Sequence, residues 1–559
     1  MFQKSKICLF FVFACLPGIP AWSQPHVFLA DTTVTLIDAS VSPYNLVQPG
    51  DTIVFTAGTR RLLRIQNFTG SKEKPVIFMN HNGQVNFDTD HYYGMSILNC
   101  RYFRLTGTGD VNYFYGIKIS RVSDGAGIGI GGLSSDYEID HVSIDNCLSV
   151  GIFAKTDPDC SFLTTRGNFT QYNTLIHDNY IGHTGTEGMY IGSSNYSGQK
   201  FNCNGVDTVL MPSVLEGVKV YKNIIEYSGW DGIQVSSASR DCRISDNLVL
   251  CDSQKETYGQ MSGIIIGGGS HCDCYNNFIS QGNGHGIEVF GLAGEKVYNN
   301  IIIDPGKNFF PSDTTRKVYG IFVTDISAES DSAFTIVYNT IINPKSDGIR
   351  FASLVTKNNL IASNLIVNPG NYTYYENGHT QFHGKDAYIM FPGGSKNTVV
   401  KQNYLTRILS DAILSDSGFM PLAASPLVDG AYSENRGINF DFYNHTRPYG
   451  KTADIGAVEY NPSFLDTLTD STANNPELLF FPNPVRTSLT IRYNSSGKSV
   501  SCLTIYNLQG KLLLMKKQPD LPGKEQVIKV EVNNLFPGIY LYTLNSEGRS
   551  SSGRFIKVN

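Results

Sequence analysis

The chain has 559 residues, of which 54 are glycine, 12% are aromatic and only 17% are charged. Soluble globular domains usually contain about 25% charged residues, so this composition excludes a coiled coil, a long helical array and a disordered acidic protein. The net charge of −5, without any run of Lys or Arg, leaves no electrostatic footprint for nucleic acid.

The first residues have the pattern of a secretory signal peptide, which we predict over residues 1–23. Two lysines precede an apolar stretch, residues 7–16, and Ala21-Trp22-Ser23 places small residues three and one positions before cleavage at Gln24. The alternative is a lipoprotein signal that ends at Cys15. The stretch is too short for a hydrocarbon core of about 30 Å, and no longer apolar stretch follows, so we expect no transmembrane segment.

Residues 100–405 contain an irregular repeat with two marks. The first mark is an Asn followed by an apolar pair, and it occurs at Asn179, Asn223, Asn247, Asn277, Asn300, Asn339, Asn364 and Asn403. The second mark is a Gly that opens a short alternating strand, and it occurs at Gly151, Gly188, Gly232, Gly263, Gly286, Gly320 and Gly348. Four of the Asn-to-Gly distances are nine residues. One turn of the repeat takes about 23 residues.

A period of this length, built from short strands, predicts a solenoid. Each strand can bury only one face, and stacking the turns at about 4.8 Å gives every strand two hydrogen-bonded neighbours. Gly and Asn tolerate the positive φ that sharp corners require, and Asn repeated at one corner can form a side-chain ladder. The alternative is a β-sandwich, which would have hairpin turns at intervals of about 8–12 residues.

These features resemble the right-handed parallel β-helix of the pectate-lyase-like superfamily. Residues 48–86, with the sequence PGDTIVF and the return PVIF, resemble its opening rungs, and residues 425–459, with SPLVDG and DIGAVE, resemble its closing segment. The resemblance implies an all-β chain in which residues 24–460 form a β-helix of about 10–13 rungs. It specifies the fold and leaves the chemistry open.

The C-terminal part has a different pattern. Residues 461–478 are polar and are predicted to be a linker, and the alternating strands of residues 479–559 predict a small β-sandwich. The series FPNP, IYNLQGK, FPGIYLY and KV is similar to the C-terminal sorting domain of the type IX secretion system. This resemblance implies the type IX secretion machinery as a partner and a secreted or cell-surface protein. The alternative is an ordinary accessory β-domain.

Two long loops at one corner of the repeat predict where a site lies. The Gly-to-Asn return is 28 residues after Gly151 and 35 after Gly188, and insertions of this kind usually line the binding face of a solenoid. Each loop holds one cysteine. We expect Cys160 and Cys203 to form a disulfide, because stacked loops bring them close and export favours oxidation.

Two further cysteines have matching positions on neighbouring turns. Cys242 and Cys272 each lie five residues before a repeat Asn, so we expect them in register on adjacent rungs. We predict an interior stack of thiols there rather than a disulfide. Nine cysteines remain after the signal peptide, and an odd number leaves at least one free or paired outside the chain.

The strands beside the long loops predict a polysaccharide-binding groove. The side chain two positions after each repeat Gly points outward, which aligns Tyr190, Gln234 and Glu288 on one face. Trp230 lies at the margin of this face and Arg166 lies in the first long loop. Aromatic rings stack on sugars, and polar side chains bind hydroxyl groups, so we expect these five residues to bind the substrate.

Two kinds of chemistry fit the residues at this margin. Glu187 and Asp231 lie one rung apart, which is about 5 Å. Two carboxyl groups at that separation fit the acid and nucleophile of a retaining glycoside hydrolase. Their mutual repulsion would raise one of the two pKa values and supply the acid.

The second chemistry is that of a polysaccharide lyase. Lys155 or Arg166 would act as the base, while Asp157, Asp159 and Glu187 would hold Ca²⁺ through carboxylate oxygens. The first expectation is therefore an exported protein that cleaves an extracellular polysaccharide, with uronate-containing chains as candidates. The alternative is a non-catalytic glycan-binding, adhesin or structural surface protein.

Overall fold

The computed structural model describes residues 25–306, 317–324, 327–370, 388–415 and 419–461, and residues 478–557 with short gaps. The predicted signal peptide and nearly all of the predicted linker lie outside these residues. Within them, no helix is long and apolar enough to cross a membrane. Tyr44–Leu46 and Leu409–Ala412 are short 3₁₀ helices.

The strands that open with the repeat Gly form one parallel sheet. Among the described residues this sheet has twelve strands, each hydrogen-bonded to the next, so the predicted number of rungs is confirmed. The strands are Leu36–Asp38, Leu63–Gln66, Tyr93–Leu98, Ala126–Gly131, Ile152–Ala154, Met189–Ile191, Ile233–Val235, Ser262–Ile266, His285–Val289, Ile321–Val323, Ile349–Phe351 and Ile389–Met390. We call it the Gly sheet.

A second parallel sheet, with 23 strands in the part of the chain that the structure describes, lies on the other side of the core and consists of two stacks that meet at a bend. The stack before the bend contains Val27–Ala30, Thr52–Arg60, Val76–Thr89, Arg101–Thr106, Ser135–Asp140, Thr174–His177, Lys219–Tyr221, Cys242–Ser245, Cys272–Tyr275, Lys296–Tyr298, Thr335–Val337, Asn359–Ala362 and Thr398–Lys401. The stack after the bend contains Ile117–Val122, Val142–Cys147, Tyr180–Thr184, Ile224–Glu226, Leu248–Leu250, Phe278–Ser280, Ile301–Ile303, Thr340–Ile342, Leu365–Val367 and Tyr404–Thr406. The chain winds through both sheets as the predicted right-handed parallel β-helix.

The repeat asparagines stand at the bend and form the predicted ladder. Each Nδ2 donates to the Oδ1 of the next Asn at 2.8–3.1 Å, from Asn179 to Asn403. The positive φ that the corner needs falls on the residue before each Asn, such as Asp178 or Lys222, and not on the ladder Asn itself. The buried ladder therefore supplies hydrogen bonds, while its neighbour makes the turn.

The repeat glycines are required by space rather than by φ, which corrects the sequence-based explanation. None of them has a positive φ. A Cβ on Gly286 would stand 2.5 Å from both the carbonyl oxygen of Gly320 and Cγ2 of Ile302. At this corner each rung lies so close to the next that only glycine fits.

Cys242 and Cys272 correct a second prediction. They pair in register on adjacent rungs as expected, but they form a disulfide with the Cα atoms 4.4 Å apart. In-register stacking at the ordinary strand spacing already brings two cysteines within disulfide range, because bonded cysteines have Cα atoms about 4.4–6.8 Å apart. The predicted stack of free thiols is therefore wrong.

Residues 409–415 and 419–460 pack against the last rungs. Arg447 is wholly buried there and donates to the carbonyl oxygens of Asp454, Gly456 and Ala457 at 2.7–3.1 Å. Its guanidinium lies 3.4 Å from a carboxylate oxygen of Glu459. The closing segment is thus held together by a buried arginine and a buried glutamate, Arg447 and Glu459.

The C-terminal residues form two antiparallel sheets with their own core. One sheet contains Leu478–Phe481, Ser488–Ser495 and Lys524–Glu531, and the other contains Leu512–Pro519, Val500–Asn507, Gly538–Ser546 and Arg549–Lys557. Their apolar faces share one hydrophobic cluster that includes Ile491, Ile505 and Phe555. Two packed antiparallel sheets are the predicted β-sandwich.

Two further strands and a hairpin belong to the long loops of the β-helix. The loop strands Thr170–Tyr172 and Val214–Glu216 form a small parallel sheet with Ala238–Arg240 of the next rung, and Gln199–Cys203 pairs with Val206–Leu210 in an antiparallel hairpin. These elements give the two long predicted loops a fixed shape beside the Gly sheet.

Candidate functional site

The two long loops are joined by a disulfide between Cys160 and Cys203, the pair that the sequence predicts. Arg166 braces the same loops, because its guanidinium donates to the carbonyl oxygens of Tyr196 at 2.6 Å and Pro212 at 3.3 Å. It also lies over the Tyr196 ring, 4.0 Å from the centroid. These contacts favour a structural role for Arg166, and its role as a base or substrate-binding residue stays a prediction.

The side chain of Lys155 also makes contacts within the protein. Its Nζ lies 3.1 Å from a carboxylate oxygen of Asp157 and 4.7 Å from the centroid of the Tyr190 ring, and its side chain is only 10% exposed. The hydroxyl of Tyr190 hydrogen-bonds to that of Ser194. These contacts favour a structural role for Lys155 over that of a catalytic base.

The predicted calcium site is not formed in the described residues. Asp157 pairs with Lys155, and Asp159 accepts hydrogen bonds from the backbone and hydroxyl of Ser161, so neither joins Glu187 in a ligand set.

The one metal-compatible group in the described part of the chain is Glu138, Asp140 and His177, on the 23-stranded sheet. Arg104 already pairs with Asp140 at 2.8 Å and with Glu138 at 3.2 Å. Burial lowers the pKa of His177, but hydrogen bonds to Asp178 and Glu138 outweigh it and raise the pKa to about 9. This group is an ion-pair network whose charges already have partners.

The outward column of the Gly sheet is not one continuous groove, which corrects the prediction. Gln234 and Ile265 are only 3% and 4% exposed, although their strands hold them in register between Tyr190 and Glu288. Covered residues in the middle divide the face into a part around Tyr190 and a part around Glu288. Gln234 therefore has almost no surface open to a ligand.

Asp231 and Glu187 are buried, so the predicted acid and nucleophile pair is not exposed to a substrate. Asp231 has no exposed surface, and neither of its carboxylate oxygens has a hydrogen-bond partner among the described residues. Burial raises the pKa of Asp231 well above its usual value, and the nearby carboxylates of Glu288, Glu187 and Asp252 raise it further. Burial also raises the pKa of Glu187, which the charge of Lys155 partly offsets.

A cleft whose lining combines a carboxyl group with several aromatic rings lies farther along the Gly sheet, over Glu288. It has a volume of about 690 Å³. We call it the Glu288 cleft, and its walls and floor are formed by Tyr258, Gly259, Met261, His285, Glu288, Phe290, Lys317, Val318, Tyr319, Phe322 and Thr324. Of the predicted site residues, only Glu288 lines it. Trp230 is half-buried on the preceding rungs.

Glu288 lies on the floor of this cleft with 7% of its surface exposed. One of its carboxylate oxygens accepts a hydrogen bond from the hydroxyl of Ser262, at 2.7 Å, on the neighbouring rung. Burial raises the pKa of Glu288 to about 7, although this hydrogen bond opposes the shift. Glu288 can therefore gain or lose a proton near neutral pH.

His285 lies two residues before Ile287 in the strand His285–Val289 and forms the edge of the floor of the cleft. Its Nδ1 accepts a hydrogen bond from the backbone N–H of Tyr319 at 2.9 Å, and its ring stacks on the Tyr319 ring at 4.9 Å. Burial lowers the pKa of His285 to about 3. A neutral ring that accepts at Nδ1 carries its proton on Nε2, so His285 is a hydrogen-bond donor there.

The sequence contains a signal for this cleft that the spacing analysis missed. The Asn-to-Gly distance is 16 residues from Asn247 to Gly263 and 20 from Asn300 to Gly320, against nine in the regular rungs. The first insertion supplies Tyr258 and Met261, and the second supplies Lys317 and Tyr319. The two insertions flank the rung of Glu288, and they lie at the opposite end of the Gly-sheet strands from the long loops.

Comparisons with known proteins agree with this architecture. Residues 211–389 match the model of the right-handed beta helix region, and residues 479–558 match the secretion system C-terminal sorting domain. No curated protein matches the sequence.

Several solved structures are similar to the chain. The pectate lyase Pel9A is 13% identical, with coverage of 79% of this chain and 98% of that chain and a TM-score of 0.39. The PL6 family alginate lyase AlyGC is 16% identical, with coverage of 76% and 58% and a TM-score of 0.39. The enzymatically active domain of bacteriophage CBA120 tailspike protein 2 is 10% identical, with coverage of 95% and 72% and a TM-score of 0.26.

The family models and the observed topology agree on both parts of the molecule. The chain is a secreted or cell-surface right-handed parallel β-helix that carries a C-terminal sorting domain of the type IX secretion system.

Proposed function

We propose that this protein binds an extracellular polysaccharide in the Glu288 cleft and cleaves it with Glu288 as the group that transfers a proton. The observation that carries the proposal is a carboxyl group with a pKa of about 7 on the floor of a cleft lined by aromatic rings. General acid–base catalysis is most effective when the pKa of the catalytic group lies near the working pH.

The lining of the cleft suits a sugar chain. The rings of Phe290 and Phe322 offer apolar surface, while Glu288 and His285 offer an acceptor and a donor for hydroxyl groups. A protein that is exported past the outer membrane meets polysaccharides rather than cellular metabolites. Tyr190 and Trp230, both half-buried, stay predictions for further sugar contacts.

Asp231 and Glu187 act in this proposal behind the reacting group rather than on the substrate. Both are buried, and the nearby carboxylate of Glu288 adds to the burial that raises the pKa of Asp231. Neither residue lines the cleft, so we assign neither of them a contact with the substrate.

A non-catalytic glycan-binding role is the second candidate, and one observation favours it. The two carboxyl groups predicted to act as a pair are buried, and Glu288 lines the cleft without either of them. A binding protein needs the aromatic lining but no second reacting group.

The first experiment tests turnover by the full chain and by Glu288→Gln on polygalacturonate, alginate and a neutral β-glucan. We expect Glu288→Gln to lose at least about a hundredfold in rate, the usual contribution of a general acid or base, while Glu73→Gln, an exposed control far along the solenoid, stays active. Absorbance near 235 nm indicates a lyase, and new reducing ends without it indicate a hydrolase. Binding without either product supports the second candidate, and full activity in Glu288→Gln overturns the assignment of Glu288.

The pH profile distinguishes the direction of the proton transfer. A pKa of about 7 means that Glu288 is mostly protonated below pH 7 and mostly ionised above it. As a general acid, Glu288 gives a rate that falls as the pH rises through 7. A rate that rises over the same range identifies it as the base.

A further inference from the structure

Tyr258 stands at the mouth of the Glu288 cleft with 86% of its surface exposed. No other large apolar or aromatic side chain in the described part of the chain is as exposed. Burial of so little ring surface gives almost no stabilisation to the fold. The position of the ring beside a cleft lined by Phe290, Tyr319 and Phe322 points to a role in binding.

The segment that carries Tyr258 is anchored to the body of the β-helix. The backbone N–H groups of Ser253, Gln254 and Lys255 donate to carbonyl oxygens of the preceding rung, at residues 230, 228 and 229, over 2.8–2.9 Å. The backbone N–H of Gln260 then closes a tight turn onto Thr257 at 3.0 Å. The turn therefore projects Tyr258 from a fixed base at the edge of the cleft.

Tyr258 lines the exposed side of the cleft, whereas Glu288 is buried within it. Tyr319, on the opposite wall, is 8% exposed and is held by its stack with His285, whereas Glu288 forms the floor. A sugar over Glu288 occupies the enclosed part, and the next sugar leaves through the open side. An exposed aromatic ring at that place offers a stacking face for the second sugar.

We propose that Tyr258 is a sugar-stacking, specificity-determining residue that binds a sugar adjacent to the one over Glu288, so that the protein prefers polymers to short oligosaccharides. This inference rests on the proposed function, because it requires that the cleft hold a glycan. It adds a residue that neither the repeat pattern nor the carboxyl cluster indicates.

The test compares binding by the full chain and by Tyr258→Ala, using calorimetry with polygalacturonate, alginate and a neutral β-glucan, and with the matching disaccharide and hexasaccharide of the one that binds. We expect Tyr258→Ala to weaken binding of the polymer and the hexasaccharide about tenfold or more, the effect of a contact hot spot. Binding of the disaccharide should change less than threefold. Tyr258→Trp should retain the affinity for the polymer.

Tyr92→Ala is the matched control, because Tyr92 is 72% exposed and does not line the cleft. Both tyrosine side chains are mostly exposed, so both variants are expected to fold, which circular dichroism verifies. If Tyr258→Ala binds the polymer as tightly as the full chain does, the inference is overturned. The proposed function still stands in that case if Phe322→Ala, a change inside the cleft, abolishes binding. If the unmodified chain binds none of the three polysaccharides, the proposed function fails, and this inference fails with it.

Discussion

One asparagine of the ladder satisfies several buried polar groups at once, as Asn277 illustrates. Its Oδ1 accepts from the backbone N–H and the Nδ2 of Asn247, at 3.1 and 3.0 Å. Its Nδ2 donates to the carbonyl of Ile244 at 2.9 Å and to Oδ1 of Asn300 at 3.0 Å. At the bend the backbone hydrogen bonds between neighbouring strands cannot supply these partners. A side chain with both a donor and an acceptor supplies them instead.

Replacing Asn277 by Ala is therefore expected to destabilise the β-helix strongly. The change leaves the N–H of Asn247 and the carbonyl of Ile244 buried without these partners, and each such group costs about 1–3 kcal/mol. We expect a clear fall in the urea midpoint of the β-helix, while the exposed control Asn45→Ala keeps the midpoint of the unmodified protein. Equal midpoints for the two variants would show that the ladder adds nothing to stability.

At the scale of the strand, the Gly sheet distinguishes two kinds of glycine. Gly286 opens a strand where the neighbouring rung leaves no room for a Cβ, whereas a Cβ on Gly129, in the strand Ala126–Gly131, would have no atom within 4 Å. Only the first kind belongs to the repeat. The regular spacing of the repeat glycines along the sequence thus reflects how closely neighbouring rungs approach each other at one corner.

The two glycines make a matched pair of variants. Gly286→Ala pushes the new methyl group against the Gly320 carbonyl and Ile302, and such overpacking costs about 1–3 kcal/mol. Gly129→Ala meets no neighbour and loses the entropy penalty of glycine in a strand, worth about 0.5–1 kcal/mol. Thermal unfolding should show a lower midpoint for Gly286→Ala and an unchanged or higher one for Gly129→Ala. A drop in both would mean that glycine serves the strand in some other way.

The arrangement of elements was predictable from the sequence because both repeat marks are forced by local physics. The ladder needs an amide at every bend, and the close corner needs a glycine, so Asn223 and Gly232 reveal a rung without any structure. The disulfide of Cys160 and Cys203 followed from loop lengths in the same way.

The site was predicted less well, because exposure depends on segments that cross the rungs. Register alone placed Gln234 and Glu288 on one face, but it could not show that Gln234 is covered while Glu288 lines a cleft. Asp231 likewise follows the repeat and yet is wholly buried. The irregular spacings from Asn247 to Gly263 and from Asn300 to Gly320 mark the walls of the cleft, although the spacing says nothing of which side chains point into it.

At the scale of the whole molecule, the β-helix and the C-terminal sandwich have separate hydrophobic cores. The interior of the solenoid forms one continuous cluster, and the sandwich forms its own around residues such as Leu489 and Ile528. A smaller cluster that includes Phe114, Tyr506 and Leu541 joins the two parts. Such a division keeps the core of the β-helix separate from that of the sorting domain.

Removal of residues 479–559 is therefore expected to block export without unfolding the β-helix. The sorting domain supplies the signal for the secretion system, whereas the β-helix keeps its own core. In a host with a type IX secretion system, cell fractionation should find the truncated chain inside the outer membrane, and the full chain at the surface or in the medium. The variant Glu288→Gln with an intact sorting domain controls for changes elsewhere and should be exported normally. Surface display of the truncated chain would show that the β-helix carries a second export signal.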